Sequence, residues 1–361
     1  MPPQHEAYLA PGEVRGLLAH LRLPLIPESP LWGLPEEPPA GEAALAERSL
    51  LDEPWVQAMR ALACPDRLLR LLVAYPSQLG AMAFYGCGDG DGLIGCWAEE
   101  GRLRISFPRE ADRLVSQVCR LLAADFPAQH DPFQAEFSPA GLACLAAAVD
   151  ALRGHVLRGM LERSATAETL LSLQAMEEVY AEGRQGADGR WLVTLLNFLA
   201  PTAAALPEQL DESALDELLA ADLLRREEES LRATETLCRL AAYWLTPLPA
   251  LAHEALRFEG QTPQMPQFRL ALRGTGPLWV MDFWRDEERG PRVSLVSVIG
   301  AAYRASLQAT MSELTGRRAA GTPPPTASKP SAEPEPRLCA ACGARLGAEA
   351  RFCTQCGTAC G

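Results

Sequence analysis

The feature that most limits what this chain can fold into is a long internal repeat. One copy runs through Leu79-Gly-Ala-Met-Ala-Phe-Tyr85, a Gly/Asp-rich turn at 86–92, Leu93-Ile-Gly-Cys-Trp97, a Glu-Glu-Gly turn and Arg102-Leu-Arg-Ile-Ser-Phe107. The other runs through Gln267-Phe-Arg-Leu-Ala-Leu272, a turn at Gly274-Thr-Gly-Pro277, Leu278-Trp-Val-Met-Asp-Phe-Trp284, an acidic turn and Arg292-Val-Ser-Leu-Val-Ser297. Setting Arg104-Ile-Ser-Phe on Arg292-Val-Ser-Leu gives a shift of 188 residues. Apolar and polar residues alternate within each run and polar turns separate the runs, so each copy predicts a three-stranded antiparallel meander. An amphipathic helix closes each copy. Leu114, Val115, Val118, Leu121 and Leu122 share a face in the first; Ile299, Tyr303, Leu307, Thr310 and Leu314 share one in the second, with Gly316 as its stop.

Helices also precede the meanders. Asp52 is placed to cap a helix running to about Cys64, and a strand comes next from Leu68 to Tyr75. In the second half, 215–222 is helical and Thr234 caps a helix to Leu245. Between the halves, Ser138-Pro139 opens a long helix with Leu142, Leu145, Val149, Leu152 and Val156 on one seam. Two further helices cover 172–182, ended by Gly183, and 190–200, ended by Pro201. The predicted fold class is α+β: a pseudo-twofold duplicated helix–antiparallel meander–helix unit over residues 1–316. Its half-units are about 8–126 and 167–316, with a helical connection at 138–163. No Pro/Gly/Ser-rich linker divides the halves, which favours one body with adjoining sheets over two hinged domains.

Residues 317–336 contain almost nothing that packs and form a Pro-rich tether. At about 3.1 Å per residue it holds the C-terminal segment up to about 60 Å from the body. That segment, 337–361, carries two pairs, Cys339-Ala-Ala-Cys342 and Cys353-Thr-Gln-Cys356, each with a glycine directly after it. Two such turns bring four thiolates around one tetrahedral Zn²⁺, and glycine after each second cysteine lets backbone N–H groups fold back onto sulfur. The ten residues between the pairs are too few and too polar for a core, so the metal supplies the folding energy. The alternative, a pair of redox dithiols, needs the strand-to-helix junction of a βαβ unit, and no such pattern is present. With all four positions taken by Cys339, Cys342, Cys353 and Cys356, the site is structural. This tail resembles the short zinc ribbons of the bacterial double-zinc-ribbon type, including Arg351-Phe352 ahead of the second pair. Cys360 is left over.

The net charge of −13 makes nucleic acid and anionic lipid poor default partners. Arg337, Arg345 and Arg351 balance Glu349 and the −2 of a tetrathiolate zinc centre, so the ribbon is neutral and gives phosphates no anchor. The start lacks a basic segment and an apolar core of a signal peptide, and no run of 18 or more apolar residues predicts a membrane span. The six cysteines of the body lie among apolar neighbours and read as reduced core residues, which fits a cytoplasmic protein.

Catalytic patterns are scarce. Gly86-Cys-Gly-Asp-Gly-Asp-Gly92 lacks the helix and Lys-Ser/Thr of a phosphate loop. As an EF-hand it would put Leu93 at a ligand position and Ile94 at the obligatory glycine, so it reads as a hairpin turn. His5, His20, His130, His155 and His253 are dispersed and read as surface or helix residues. The acidic runs Glu227-Glu-Glu and Asp286-Glu-Glu read as solvated turns. Trp97 and Trp284 end equivalent strands, where they either pack in the core or line a partner groove.

The order of elements, beginning with the Leu9-Ala-Pro-Gly-Glu-Val-Arg-Gly-Leu-Leu18 helix and the Leu23-Pro-Leu-Ile-Pro27 segment, resembles the EspG-type chaperones of type VII secretion over about residues 8–315. The resemblance implies a quasi-twofold α+β fold that binds secretion substrates in the cytosol. It carries no binding residue across, and the ribbon departs from it. The expectation is a cytoplasmic, non-enzymatic adaptor or chaperone with a protein partner and a structural Zn²⁺. Two other readings stay open: a nucleic-acid-associated regulator acting through the ribbon, and an enzyme whose site is built from dispersed residues.

Overall fold

The computed structural model describes residues 5–75, 78–88, 92–125, 131–162, 169–186, 188–228, 230–245, 249–259 and 262–315. Gly316, the tether, the ribbon with Cys339, Cys342, Cys353 and Cys356, and His130 lie outside the described residues.

The first half runs β1 (His5–Leu9), α1 (Pro11–Leu21), α2 (Glu42–Glu47), α3 (Glu53–Ala63), β2 (Arg67–Tyr75), β3 (Gln78–Gly86), β4 (Leu93–Glu99), β5 (Arg102–Arg109) and α4 (Ala111–Leu121). The second opens with β6 (Gln134–Phe137) and α5 (Pro139–Glu162). A helical insertion comes next: β7 (Leu170–Leu171), α6 (Leu173–Gln185), α7 (Leu192–Leu199), α8 (Pro201–Ala204), α9 (Glu212–Ala220), β8 (Leu224–Glu227), β9 (Ser230–Ala233) and α10 (Glu235–Tyr243). The half ends with β10 (Ala250–Glu259), β11 (Thr262–Arg273), β12 (Leu278–Asp286), β13 (Gly290–Val298) and α11 (Gly300–Thr315).

Ten strands form one sheet in the order β1-β5-β4-β3-β2-β10-β11-β12-β13-β6, which reads the same way from either end. The axis of this mirror order falls between β2 and β10, which pair antiparallel from Ala74↔Ala250 to Arg67↔Arg257. The repeat read from sequence is thus kept down to register: Trp97 pairs with Arg104 on one side and Trp284 with Arg292 on the other. The fold is α+β and duplicated. Because β6 precedes α5, the long helix belongs to the second set of elements in this order.

One face of the sheet is covered by α4 and α11. Their predicted stripes do the covering: Leu114, Val118, Tyr303 and Leu307 are buried with Leu71, Leu251 and Val280 beneath them. Gly300 opens α11 against the end of α4, where a Cβ would sit 1.7 Å from the Ala124 carbonyl oxygen. The opposite face is covered by α1–α3 over the first half and by α5–α10 over the second. α5 is the spine of the latter. By length and composition it could cross a bilayer, yet 72% of its most apolar stretch is buried inside the fold. Buried Asp150 on α5 accepts hydrogen bonds from the Leu192 and Val193 amides, both 3.0 Å, capping α7 from another helix where Trp191 offers no cap of its own. Arg153 closes the joint at 2.7 Å from Asp150 and 2.7 Å from the Arg190 carbonyl.

Several expectations need correction. The sequence predicts no strand over 250–259, yet β10 is a central strand. Its Ala- and Glu-containing run lacks a clear strand composition, and burial between two helix layers decides its state. The edge strands β1 and β6 and the small sheet β7-β9-β8 likewise have no counterpart in the expected layout. α6 continues past Gly183 to Gln185, because that glycine is a packing site: a Cβ there would meet Val193 at 2.8 Å. The turns at Asp286 and after Glu227 lie where expected. Thr234 and Ser172 cap their helices through side-chain oxygens.

Candidate functional site

The face carrying α4 and α11 is unequal in its two halves. α4 has 11 residues and α11 has 16. Beside the shorter helix lies a pocket of about 590 Å³. Leu71 of β2, Met82 and Phe84 of β3, and Trp97 of β4 form its floor; Leu114, Val118 and Leu121 of α4 form a wall; Gln117 and Arg120 stand at its mouth. Neighbouring strands put those floor side chains on one face: Leu71 pairs with Met82, and Phe84 pairs with Gly95, two residues before Trp97. Gly95 has no side chain to give. A Cβ there would come 2.7 Å from the Trp97 ring, so the glycine is what lets the indole lie against the floor.

Outward from the pocket the sheet stays aromatic. Arg104 lies 5.1 Å from the Trp97 ring centroid and 5.5 Å from that of Tyr8 on β1. Its charge is met by Glu6 at 2.7 Å and Glu99 at 3.4 Å. Trp97 is half-buried, and so is Trp284, so neither is a plain core residue. Both sit near the C-terminal ends of their strands.

The matching place beside α11 is closed. Arg269 and Asp282 occupy the cross-strand positions that Phe84 and Gly95 hold in the first half. They form a buried two-pronged ion pair, with Arg269 Nη2 3.2 Å from Asp282 Oδ2. Arg269 also donates to the Ser306 hydroxyl, and the Thr310 hydroxyl donates to Gln267. His253 on β10 lies fully buried next in line, opposite Arg269 across β10 and β11. Burial and the adjacent Arg269 push its imidazole down to about 3. Among the described residues, neither ring nitrogen of His253 has a protein hydrogen-bond partner, and the buried Tyr303 hydroxyl has none either. His253 is therefore a core residue, contrary to the surface or helix assignment; a lone histidine among Ala, Leu and Glu gives no sequence sign of burial.

Other candidate groups do not gather. Cys96, Cys119 and Cys144 are buried as expected, but Cys87 is exposed at the start of the 86–92 turn. Among the described residues no three His, Cys, Asp or Glu side chains converge as metal ligands. Burial raises the Cys96 and Cys144 thiols to about 12 and the Tyr85 and Tyr180 phenols to about 12, but none of these lines the pocket. Among the described residues the pocket has an apolar floor, with one amide and one guanidinium at its mouth. A further apolar surface, Leu157, Met160 and Leu161, stands exposed at the end of α5.

No family model matches the chain, and no curated protein matches it. Among solved structures it is similar to EspG5, a type VII secretion system chaperone of Mycobacterium tuberculosis, solved in complex with a PE25–PPE41 dimer. That match covers 89% of this chain and 98% of the other, with a TM-score of 0.43 and 11% sequence identity.

Proposed function

We propose that this protein is a non-enzymatic, cytoplasmic adaptor or chaperone whose body holds an apolar helical surface of a protein partner. The observation that carries the reading is the pocket beside α4, open and apolar where the other half is filled by the protein's own Arg269, Asp282, Ser306 and Thr310. A cluster of an indole and aliphatic side chains around a concavity is the usual anchor site for a partner's large apolar residue. The layout resemblance to EspG-type chaperones makes small helical type VII-like secretion substrates the first clients to try.

The C-terminal ribbon adds a second contact, held by a Zn²⁺ on Cys339, Cys342, Cys353 and Cys356. Tethered through 317–336, it raises the local concentration of one contact once the other is made. The test is direct. The purified full chain, mixed with an aggregation-prone helical protein, suppresses its light scattering, and metal analysis finds one zinc per chain. Cys339→Ser with Cys353→Ser removes the zinc and leaves the body's thermal unfolding in place. A chain that leaves aggregation untouched at several-fold excess is not a chaperone, and a zinc content unchanged by the double substitution moves the metal elsewhere.

A further inference from the structure

Arg120 is the one feature of the pocket that its own walls do not explain. It stands exposed at the mouth on α4, and no carboxylate meets it among the described residues. Three other arginines, on α4, α11 and β5, are engaged: Arg113 lies 3.2 Å from Glu110, Arg304 lies 2.7 Å from Asp125, and Arg104 is held between Glu6 and Glu99. A cation with no carboxylate partner among the described residues, beside an apolar concavity, suits a ligand that brings both an apolar group and an anion. Resting on the adaptor reading, we infer that the pocket takes large apolar side chains from a partner helix that carries a carboxylate about one turn away, paired with Arg120.

Geometry and charge both favour this occupant. About 590 Å³ is room for two or three aliphatic or aromatic side chains, as an i, i+4 pair on one helix face supplies. A glutamate one turn further reaches past the mouth to a guanidinium on the rim. The chain's net charge of −13 opposes an acidic partner in general. At about 0.1 M salt, however, charges beyond about 10 Å are largely screened, so the local guanidinium decides the preference. Gln117, the other polar group at the mouth, is placed to meet backbone or amide groups of the same segment.

The test uses the full chain and a labelled 16-residue alanine-based helical peptide with Leu and Phe at i and i+4 and Glu one turn on. Its twin carries Lys in place of Glu. Fluorescence anisotropy at about 0.1 M salt shows the Glu peptide binding tighter, by roughly fivefold for a rim-exposed pair. Arg120→Glu inverts the preference. Gln117→Trp, an exposed helix position that folding tolerates, lays an indole across the mouth and weakens both peptides at least tenfold; Met82→Trp fills the floor and does the same. Equal affinity for the twins, an order unchanged by Arg120→Glu, no binding of either peptide, or binding that survives both tryptophan variants overturns the inference. If the same variants leave aggregation suppression intact, the adaptor reading stands and only this site falls. If the unaltered chain fails both assays, both fall.

Discussion

Phe84 and Gly95 in the first half stand where Arg269 and Asp282 stand in the second, on the same strands of a duplicated sheet. Around the first pair the helix offers Gln117 and Leu121; around the second, the matching helix offers Ser306 and Thr310, one residue before and three after the buried Leu307, as Gln117 and Leu121 flank the buried Val118. One backbone arrangement is therefore finished in two ways. The second half closes itself with a polar network, and the first is left apolar and open. A duplicated fold keeps its register because every strand pairing depends on it. The side chains over one stretch of the face are free to diverge, because only a helix lies above them. The half without an internal polar closure is the half whose apolar face stays open.

The largest effect is expected from removing the closure of the second half. Asp282→Ala leaves the Arg269 guanidinium buried with only Ser306 for company, since both ion-pair partners are less than a tenth exposed. A stranded buried charge costs about 3–5 kcal/mol, to be read from chemical denaturation of the variant against the parent. Replacing both, Arg269→Met with Asp282→Leu, restores most of that loss, because well-packed apolar groups substitute for a buried pair at little cost. If the single variant lost under about 1 kcal/mol, the network would not be what closes the second half.

His253 sharpens the same point through pH. Its imidazole is neutral in the fold, with a value of about 3, whereas in the unfolded chain it takes up a proton below about 6.5. The unfolded state thus binds more protons in that window, so stability falls as pH drops from about 6.5 toward 3 and levels off beneath it. The slope approaches that of one proton per molecule, so roughly 2 kcal/mol is lost between pH 6.5 and 4.5. Arg269, Asp282 and Tyr303 face the same buried region from β11, β12 and α11, so the contribution of His253 is taken as the parent minus His253→Leu. In the first half the matching place, across from Phe84, is held by Leu69, which does not titrate. A parent and variant with parallel pH curves would mean that His253 is not held neutral.

Within the open half, Gly95→Ala probes how the pocket floor is kept. The new Cβ meets the Trp97 ring at 2.7 Å and the Phe84 ring at 3.4 Å, so the indole must swing out. Overpacking of this kind costs about 1–3 kcal/mol, and intrinsic tryptophan fluorescence shifts to the red as Trp97 gains water. An unchanged spectrum would show that the floor adapts around the methyl group.

How much of this is legible in the sequence depends on what each signal measures. The Arg104 and Arg292 runs with their tryptophans are readable because alternation and turn residues act locally, and they point to the duplicated α+β fold. β10 is not, because Ala250–Glu259 takes its strand state from β2 and β11 on either side and not from its own composition. The pocket itself is half visible. Trp97 stands out in the sequence, with core packing and a partner groove as its two readings. The rest depends on a comparison that sequence periodicity cannot make, namely what lies across the strand from Gly95. Aligned on Trp97 and Trp284, a shift of 187 residues, the two repeats set Asp282 against Gly95. That mismatch, together with Arg269 against Phe84, marks where the copies diverge.

The smallest expected effect concerns why α4 is the shorter helix. It ends in a Schellman-type turn: the Ala124 amide donates to the Cys119 carbonyl at 2.8 Å, and Ala123 takes a left-handed φ of 46°. Alanine is a poor residue there, since a Cβ in that conformation costs about 1–2 kcal/mol, whereas in the sequence Gly316 comes directly after α11. Ala123 is exposed, so removing its methyl group sacrifices no packing. Ala123→Gly is expected to stabilise the protein by about 0.5–1 kcal/mol, the relief of strain exceeding the added freedom of the unfolded chain. The gain should register as a small rise in the denaturation midpoint with an unchanged slope. Because the turn also sets where the pocket wall stops after Leu121, peptide affinity should stay as it was. A variant that gained stability but lost binding would show instead that strain at Ala123 helps hold the mouth open.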